Sequence, residues 1–133
     1  MRFMMIVKGN HESEAGVMPS KELVETMTRY NDELVKSGVL LAADGLHPTS
    51  RGFKKKFVDG KPTIVDGPFS EAKEIVAGYW ILQVKSRDEM LAWAMRCPAE
   101  VEVRQIFENC EFPDELREAS AGCSPEGARR AQA

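Results

Sequence analysis

The stretch that decides the fold is Val76-Ala77-Gly78-Tyr79-Trp80-Ile81-Leu82-Gln83-Val84-Lys85. Successive side chains of a strand point to opposite faces of its sheet, so Tyr79 and Trp80 are predicted to lie on opposite faces. Both sets of alternating residues are largely apolar, which is typical of a strand with neighbours on either side. We therefore predict a central strand over Val76–Lys85 and place the other elements around it.

A helix and a last strand are predicted after this segment. Ser86 and Glu89 have the spacing of a capping box, in which each side chain accepts a hydrogen bond from an amide at the start of the helix. The apolar stripe that follows consists of Met90, Leu91 and Ala94. Cys97-Pro98 ends the helix, because the residue before proline avoids the helical conformation. Alternation then predicts a strand over Val101–Ile106.

The same order of elements precedes the central strand. Arg2–Lys8 is predicted as a strand and the polar stretch Gly9–Gly16 as its terminating loop. A helix begins after Ser20, whose hydroxyl can cap it, and ends at about Ser37, before a glycine suited to a helix stop. Its apolar stripe is Leu23, Val24, Met27, Tyr30, Leu34 and Val35. Val39–Ala43 is predicted as the next strand.

A hairpin is predicted between the two halves. Phe53–Val58 and Thr63–Val65 flank Asp59-Gly60, a dipeptide that tolerates the positive φ angles of a tight turn. The order strand, helix, strand, hairpin, strand, helix, strand is the α+β, ferredoxin-like βαββαβ plan with an inserted β-hairpin. Its helices would cover one face of the sheet. The other face would carry apolar residues, so we predict a homodimer that packs sheet to sheet.

Length and composition indicate one ordinary globular domain. The chain has 133 residues, of which 43% are hydrophobic and 29% charged, with a net charge of −3. We predict a domain over residues 1–112 and a flexible tail over residues 113–133. The negative net charge argues against a nucleic-acid partner. No apolar run is long enough for a signal peptide or a membrane span, so we expect a cytoplasmic protein that does not bind membranes.

The cysteines give no sign of a disulfide framework or a metal site. They stand at positions 97, 110 and 123 and form no Cys-x-x-Cys pair. The histidines are not clustered either. We therefore expect reduced thiols, no metal and no cofactor.

The segment Val65-Asp66-Gly67-Pro68-Phe69-Ser70-Glu71-Ala72-Lys73-Glu74 resembles the long signature of the DGPF branch of the YCII-related family. Further segments agree with that family in order and spacing: Ala43-Asp44-Gly45-Leu46-His47-Pro48, Gly78-Tyr79-Trp80, Ala92-Trp93-Ala94 and Val101-Glu102-Val103-Arg104. The resemblance extends from Arg2 to Phe107. It implies a dimeric α+β barrel of ferredoxin-like halves, in agreement with the plan predicted from the residues.

The tetrapeptide Asp66–Phe69, called the corner below, is predicted to form a rigid bend after a strand. Gly67 adopts conformations that other residues resist, Pro68 fixes its own φ, and Phe69 can fill an apolar pocket. Asp66 is our first candidate for a catalytic or ligand-binding carboxylate. The alternative is that Asp66 only accepts amide hydrogen bonds across the turn, and both roles are compatible.

Other candidates lie close by. Glu71, Lys73 and Glu74 could bind a small polar ligand, with Lys73 suited to an anionic group, or could form ion pairs on a solvated loop. His47 could act as an acid or base if Asp44 orients it, although a loop histidine is more often simply exposed. We therefore place a binding cleft, with possible acid/base catalysis, between the corner and the His47 loop.

One departure from the family limits this interpretation. In the YciI-like branch, a histidine on the first helix and an aspartate near the end of the second have been proposed as a catalytic pair. In this chain Met27 and Cys97 stand at about those positions. The chemistry suggested for that branch is therefore not expected here. DGPF-type domains also resemble partners of extracytoplasmic-function sigma factors, which gives a non-enzymatic interaction module as the alternative function.

Overall fold

The computed structural model describes residues 1–69 and 74–119. Six strands and four helices follow one another in this part of the chain: β1 (Arg2–Lys8), α1 (His11–Glu14), α2 (Lys21–Lys36), β2 (Leu40–Gly45), β3 (Phe53–Val58), β4 (Lys61–Asp66), β5 (Val76–Gln83), α3 (Arg87–Arg96), β6 (Val101–Gln105) and α4 (Asp114–Ala119). Single 3₁₀ turns occur at Thr49–Arg51 and Asn109–Glu111.

A four-stranded antiparallel sheet forms the centre of the molecule. Its strand order is β2-β5-β1-β6, and β3 pairs with β4 in a separate two-stranded sheet. Without the hairpin, this is the order expected of a ferredoxin-like fold, in which the first and third strands are central. The prediction of a central strand is confirmed, because β5 pairs with β1 on one side and with β2 on the other.

The core lies on one face of this sheet. Alternate residues of β1 and β5, namely Phe3, Met5, Trp80 and Leu82, pack against helix residues Tyr30, Leu34, Met90 and Trp93. Each of these side chains is at most 8% exposed. Burying an apolar side chain of this size contributes about 1.5–3 kcal/mol. The helices α2 and α3 are therefore fixed on the sheet mainly by this one cluster.

The opposite face carries the other alternate residues. Met4, Ile6, Tyr79 and Ile81 are partly buried and do not belong to the core cluster. The pairing registers place them in two adjacent rows, because Met4 faces Ile81 and Ile6 faces Tyr79. This face is called the open face below.

The helix caps agree with the predictions, with one change. Ser20 accepts a hydrogen bond from the amide of Leu23 at the start of α2, and Gly38 follows the helix with a φ of +71°. Ser86 accepts from the amide of Glu89, as a capping box requires. The carboxylate of Glu89, however, accepts from the amide of Lys85 instead of Ser86.

Two segments differ from the predictions. The predicted loop over Gly9–Gly16 contains the short helix α1, which Asn10 caps by accepting from the amide of Ser13. Helix α4 occupies the start of the predicted tail, and residues 120–133 lie outside the described residues. None of the helices in the described part of the chain combines the length and hydropathy needed to cross a bilayer.

The corner is fixed by contact with the 3₁₀ turn at Thr49–Arg51. The amide of Gly67 donates to the carbonyl of Gly52 at 2.9 Å, and the Gly67–Pro68 peptide bond is cis. A Cβ atom on Gly67 would lie 1.7 Å from the carbonyl oxygen of Thr49. The φ angle of Gly67 is not positive, so the predicted special conformation is not the reason for glycine at this position. Glycine is required because the two backbones approach so closely.

We predict that Gly67→Ala lowers the free energy of unfolding by about 1–3 kcal/mol, because the turn and the corner must separate to admit the methyl group. Urea unfolding followed by tryptophan fluorescence measures this change. Gly45→Ala is the matched control, since its Cβ would meet no atom within 4 Å. Equal losses in the two variants would contradict the close approach.

Candidate functional site

A pocket opens between the start of α2, the segment before it and the adjacent edge of the sheet. Its volume is about 670 Å³. One wall is formed by α2 and the preceding segment, including Met18, Leu23, Val24 and Met27. The rest of the wall is formed mainly by the end of β2, the first half of β5 and residues of α1. Most of the wall is apolar, which is usual for pockets that bind small molecules.

The pocket wall on α2 is the first half of the apolar stripe predicted from the sequence. Leu23 and Val24 remain 41% and 48% exposed, whereas Tyr30 and Leu34, further along the same stripe, are 5% and 0% exposed. The stripe therefore serves two surfaces. Tyr30 and Leu34 pack in the core and the first half faces the pocket, whereas Val35 at the end of the stripe is exposed.

Trp80 and Asn31 meet at the floor of the pocket. The indole Nε1–H of Trp80 donates a hydrogen bond to Oδ1 of Asn31 at 2.7 Å. Tyr30 packs edge-on against the indole, with ring centroids 5.6 Å apart. Because Asn31 uses its carbonyl oxygen here, its amide NH₂ has no partner among the described residues and can donate to a ligand.

Asp44 and Tyr79 border the pocket, and their side chains meet on the open face of the sheet. They are paired in register across β2 and β5, and the hydroxyl of Tyr79 donates to Oδ2 of Asp44 at 2.9 Å. This hydrogen bond raises the pKa of the Tyr79 phenol. A Cβ atom on the neighbouring Gly78 would lie 2.9 Å from the Asp44 carbonyl oxygen. Glycine at this position therefore allows the close approach of β2 and β5.

The predicted acid/base pair is not assembled. Asp66 is exposed at the end of β4, where it pairs in register with Phe53, and its carboxylate has no hydrogen-bond partner among the described residues. The side chain of His47 is exposed, and its Nδ1 and Nε2 atoms lie 3.2 and 3.3 Å from Nη1 of Arg51. The carboxylate of Asp44 accepts from Tyr79, and no hydrogen bond within the described part of the chain joins it to His47. Neither Asp66 nor His47 lines the pocket.

The other predicted ligands have different surroundings. Glu74 forms an ion pair with Lys8 at 2.8 Å, and this contact is the main reason why the pKa of Lys8 is raised. Glu71 and Lys73 lie outside the described residues. Asp44 is the one sequence-predicted candidate among the described residues that line the pocket. In the same part of the chain, no three His, Cys, Asp or Glu residues converge as metal ligands would.

Met27 and Cys97, which stand at about the positions of the YciI-like pair, both pack against the core cluster. Met27 also lines the pocket, and its side chain has no group that exchanges protons. Burial raises the pKa of the Cys97 thiol, so the reactive thiolate form is disfavoured. The two positions therefore do not supply an alternative acid/base pair.

Hydrogen bonds through Thr49 connect the corner to α1. The carboxylate of Glu14 accepts hydrogen bonds from the amide of Thr49 at 2.9 Å and from its hydroxyl at 2.5 Å. The Thr49 hydroxyl oxygen in turn accepts from the amide of Phe69 at 3.1 Å. Since Glu12 and Ser13 of α1 line the pocket, these bonds connect the corner to the pocket wall.

Sequence reasoning missed the pocket because it depends on contacts between distant segments. One local signal was available. Asn31 lies on the same side of α2 as Met27 and Leu34, and a polar residue within an apolar stripe indicates a buried hydrogen bond or a site. The connection from Glu14 to Thr49 spans 35 positions and leaves no comparable pattern.

The hydrogen bonds of Glu14 predict a pH dependence. They lower the pKa of Glu14 below its ordinary value of 4.5, first through the Thr49 hydroxyl and then through the Thr49 amide. A lowered folded-state pKa contributes stability above the unfolded-state pKa and loses it as the pH falls through the folded-state value. We therefore expect Glu14→Gln to be less stable than the parent at neutral pH, with a difference that shrinks in acid.

Urea unfolding at a series of pH values tests this expectation. Glu12→Gln is the matched control, because it lies on the same short helix and its carboxylate accepts no hydrogen bond from the described residues. A difference between parent and Glu14→Gln that stays constant from neutral pH to well below 4.5 would show that the contact carries no linked proton.

Comparison with known proteins identifies the family of this chain and leaves the activity open. A protein of Rhizobium meliloti (strain 1021), described as uncharacterized, is 27% identical over 88 residues, which cover 64% of this chain and 71% of the relative. The YCII-related domain matches residues 1–111. This match includes the whole sheet, the pocket and the corner. The chain therefore belongs to the YCII-related family.

Proposed function

We propose that this protein binds a small organic molecule in the pocket between α2 and the sheet. The observation that carries the proposal is the cavity itself, whose volume of about 670 Å³ falls within the usual size of ligand sites. Exposed Leu23 and Val24 would be covered by such a ligand. The Asn31 amide supplies a directed polar group that can orient a ligand.

Ligand binding is better supported than acid/base catalysis. The residues predicted to exchange protons, Asp66 and His47, do not line this cavity. We also propose the DGPF branch of the family, on the sequence Asp66-Gly67-Pro68-Phe69. An association with a sigma factor stays a prediction, because none of the described contacts favours it.

A binding experiment can use the two tryptophans as internal reporters. Trp80 lines the pocket and Trp93 does not. We expect compounds that raise the melting temperature of the protein in a metabolite screen to shift the Trp80 indole NMR signal and to leave that of Trp93 largely unchanged. Ligand at a hundredfold excess over Kd adds about 2.7 kcal/mol of apparent stability.

Paired substitutions locate the binding site. Leu23→Trp fills the pocket and is expected to weaken binding by at least about tenfold, the effect of roughly 1.4 kcal/mol of steric cost. Leu91→Trp, at a leucine of α3 that is also half-exposed and lies outside the pocket, should bind as the parent does. Binding that survives Leu23→Trp would contradict the proposed site.

We further propose that two copies associate through the open face. Its apolar rows pair Met4 with Ile81 and Ile6 with Tyr79, and they are bordered by Arg104 and Glu102 of β6, which face Met4 and Ile6. A sheet face of this kind is commonly buried in a second layer. A second copy, packing the same face against itself, satisfies this requirement with a closed two-fold interface.

The proposed association predicts that one charge added to the centre of the open face disrupts the dimer. Ile81→Lys places an ammonium in the middle of the open face and should convert a dimer to a folded monomer in analytical ultracentrifugation. Gln83→Lys adds the same charge to the same face of β5, next to its end, and should leave the dimer largely intact. A parent protein that sediments as a monomer at micromolar concentration would refute the proposal.

A further inference from the structure

The sheet leaves room beside the start of α2 because its helix-facing residues there are small. Ala43 pairs with Trp80 and Gly45 pairs with Gly78 across β2 and β5, so these four positions share the face on which the core lies. All four line the pocket. The sheet wall therefore presents the Trp80 indole to a ligand and otherwise only a methyl group and backbone.

The hydroxyl groups that line the pocket are already bonded within the protein. Ser13 exchanges hydrogen bonds with the backbone of Asn10, and Ser20 and Thr28 bond backbone groups of α2. Asn10 and Glu12 also line the pocket, but both are exposed, so their polar groups keep water whether or not a ligand binds. A directed polar contact has to come from another side chain.

The amide of Asn31 lines the pocket in a fixed orientation. The indole nitrogen of Trp80 can only donate, so the atom 2.7 Å from it must be the carbonyl oxygen of Asn31 and not its NH₂ group. Tyr30 holds the indole in place by packing edge-on against it. Because the amide is planar, its NH₂ points away from Trp80, where it has no partner among the described residues.

This NH₂ group imposes a requirement on any ligand that covers Trp80 and Asn31. Before binding, water can accept its hydrogen bond. A ligand that displaces this water without offering an acceptor leaves the donor unsatisfied and loses affinity. A carbonyl oxygen meets the requirement best, because it accepts and brings no donor that would need a partner of its own, whereas a hydroxyl brings one.

A neutral acceptor suits this pocket better than an anion. Among the described residues that line it, none is a lysine, an arginine or a histidine. An ionised carboxylate would lose its water here without gaining an ionic partner, which costs far more than the burial of a neutral carbonyl. The anionic ligand predicted from the sequence relied on Lys73, which lies outside the described residues.

The apolar stripe of α2 sets the length of the rest of the ligand. Leu23, Met27 and Asn31 follow one another at four-residue spacing on one side of the helix, and all three line the pocket. At 1.5 Å per residue, the distance from Asn31 to Leu23 along the helix is about 12 Å. A ligand with its acceptor at Asn31 would reach exposed Leu23 and Val24 with an apolar body of this length.

We propose that the pocket binds a neutral carbonyl compound, such as a ketone, aldehyde, ester or amide, whose oxygen accepts from the NH₂ of Asn31. Its apolar body lies along Met27, Leu23 and Val24 and covers the Trp80 indole. This inference rests on the proposed function, because it names the ligand class of the same pocket.

Matched pairs of compounds test the ligand class. In each pair a methylene group of nearly the same shape replaces the carbonyl oxygen, as in acetophenone and α-methylstyrene, with further pairs on longer apolar bodies. Kd values are measured from the Trp80 indole NMR signal of the full chain. We expect the ketone to bind about tenfold more tightly than the alkene, and benzoate to bind more weakly than the ketone. The side-chain NH₂ signal of Asn31 should shift downfield when the ketone binds.

Variants identify the group responsible. Asn31→Asp keeps an oxygen for the Trp80 indole and removes the NH₂, so the preference for the ketone should disappear or reverse. Asn109→Asp makes the same change outside the pocket and should keep the preference of the parent. The two Kd values are compared within each variant, so a general change in the pocket cancels. A preference for the ketone that survives Asn31→Asp would overturn the role of Asn31.

The outcomes separate the two proposals. If both members of every pair bind equally, or benzoate binds most tightly, the ligand class is refuted and the pocket function stands. If no compound moves the Trp80 signal, both proposals are refuted. If Asn31→Asp does not fold, the ketone, the alkene and benzoate still decide the ligand class in the parent, together with the Asn31 NH₂ signal.

Discussion

The pairing of β5 with β1 and β2 is the constraint on which the other features depend. It directs Trp80 toward the helices and Tyr79 toward the open face, since neighbouring residues of a strand alternate. Trp80 joins the core cluster through Tyr30 and also forms the floor of the pocket through its bond to Asn31. One strand thus supports the core, the pocket and the surface proposed for association.

Tyr79 shows how closely these surfaces are joined. Its ring belongs to the apolar rows of the open face, and its hydroxyl donates to Asp44, whose side chain shares that face because the two residues pair in register. A second copy on the open face would therefore pack against the same side chain that orients Asp44. Asp44 and Tyr79 also border the pocket, so the two surfaces share the end of β2 and the start of β5.

The features that could be predicted are those determined locally. Ser20 and Gly38 mark the ends of α2, and Asp59-Gly60 forms the hairpin turn with φ angles of 50° and 77°. The pocket could not be predicted in the same way. Leu23 and Leu34 belong to one apolar stripe by their spacing, and only the positions of α1 and the sheet decide which of them is covered. The role of the corner was equally out of reach, because Gly67 is required by the Thr49 backbone, which lies 18 residues earlier in the chain.

The hairpin of β3 and β4 differs from the rest of the fold in how little it buries. All six residues of β3 are exposed, and five of the six in β4 are exposed as well. An isolated two-stranded hairpin is only marginally stable in water. Here it is held at its base, by the bond of Gly67 to Gly52 and by Lys54 over the ring of Phe69 at 4.4 Å. Its amides can therefore exchange with solvent through local opening, at a free energy well below that of global unfolding, while the four-stranded sheet stays protected.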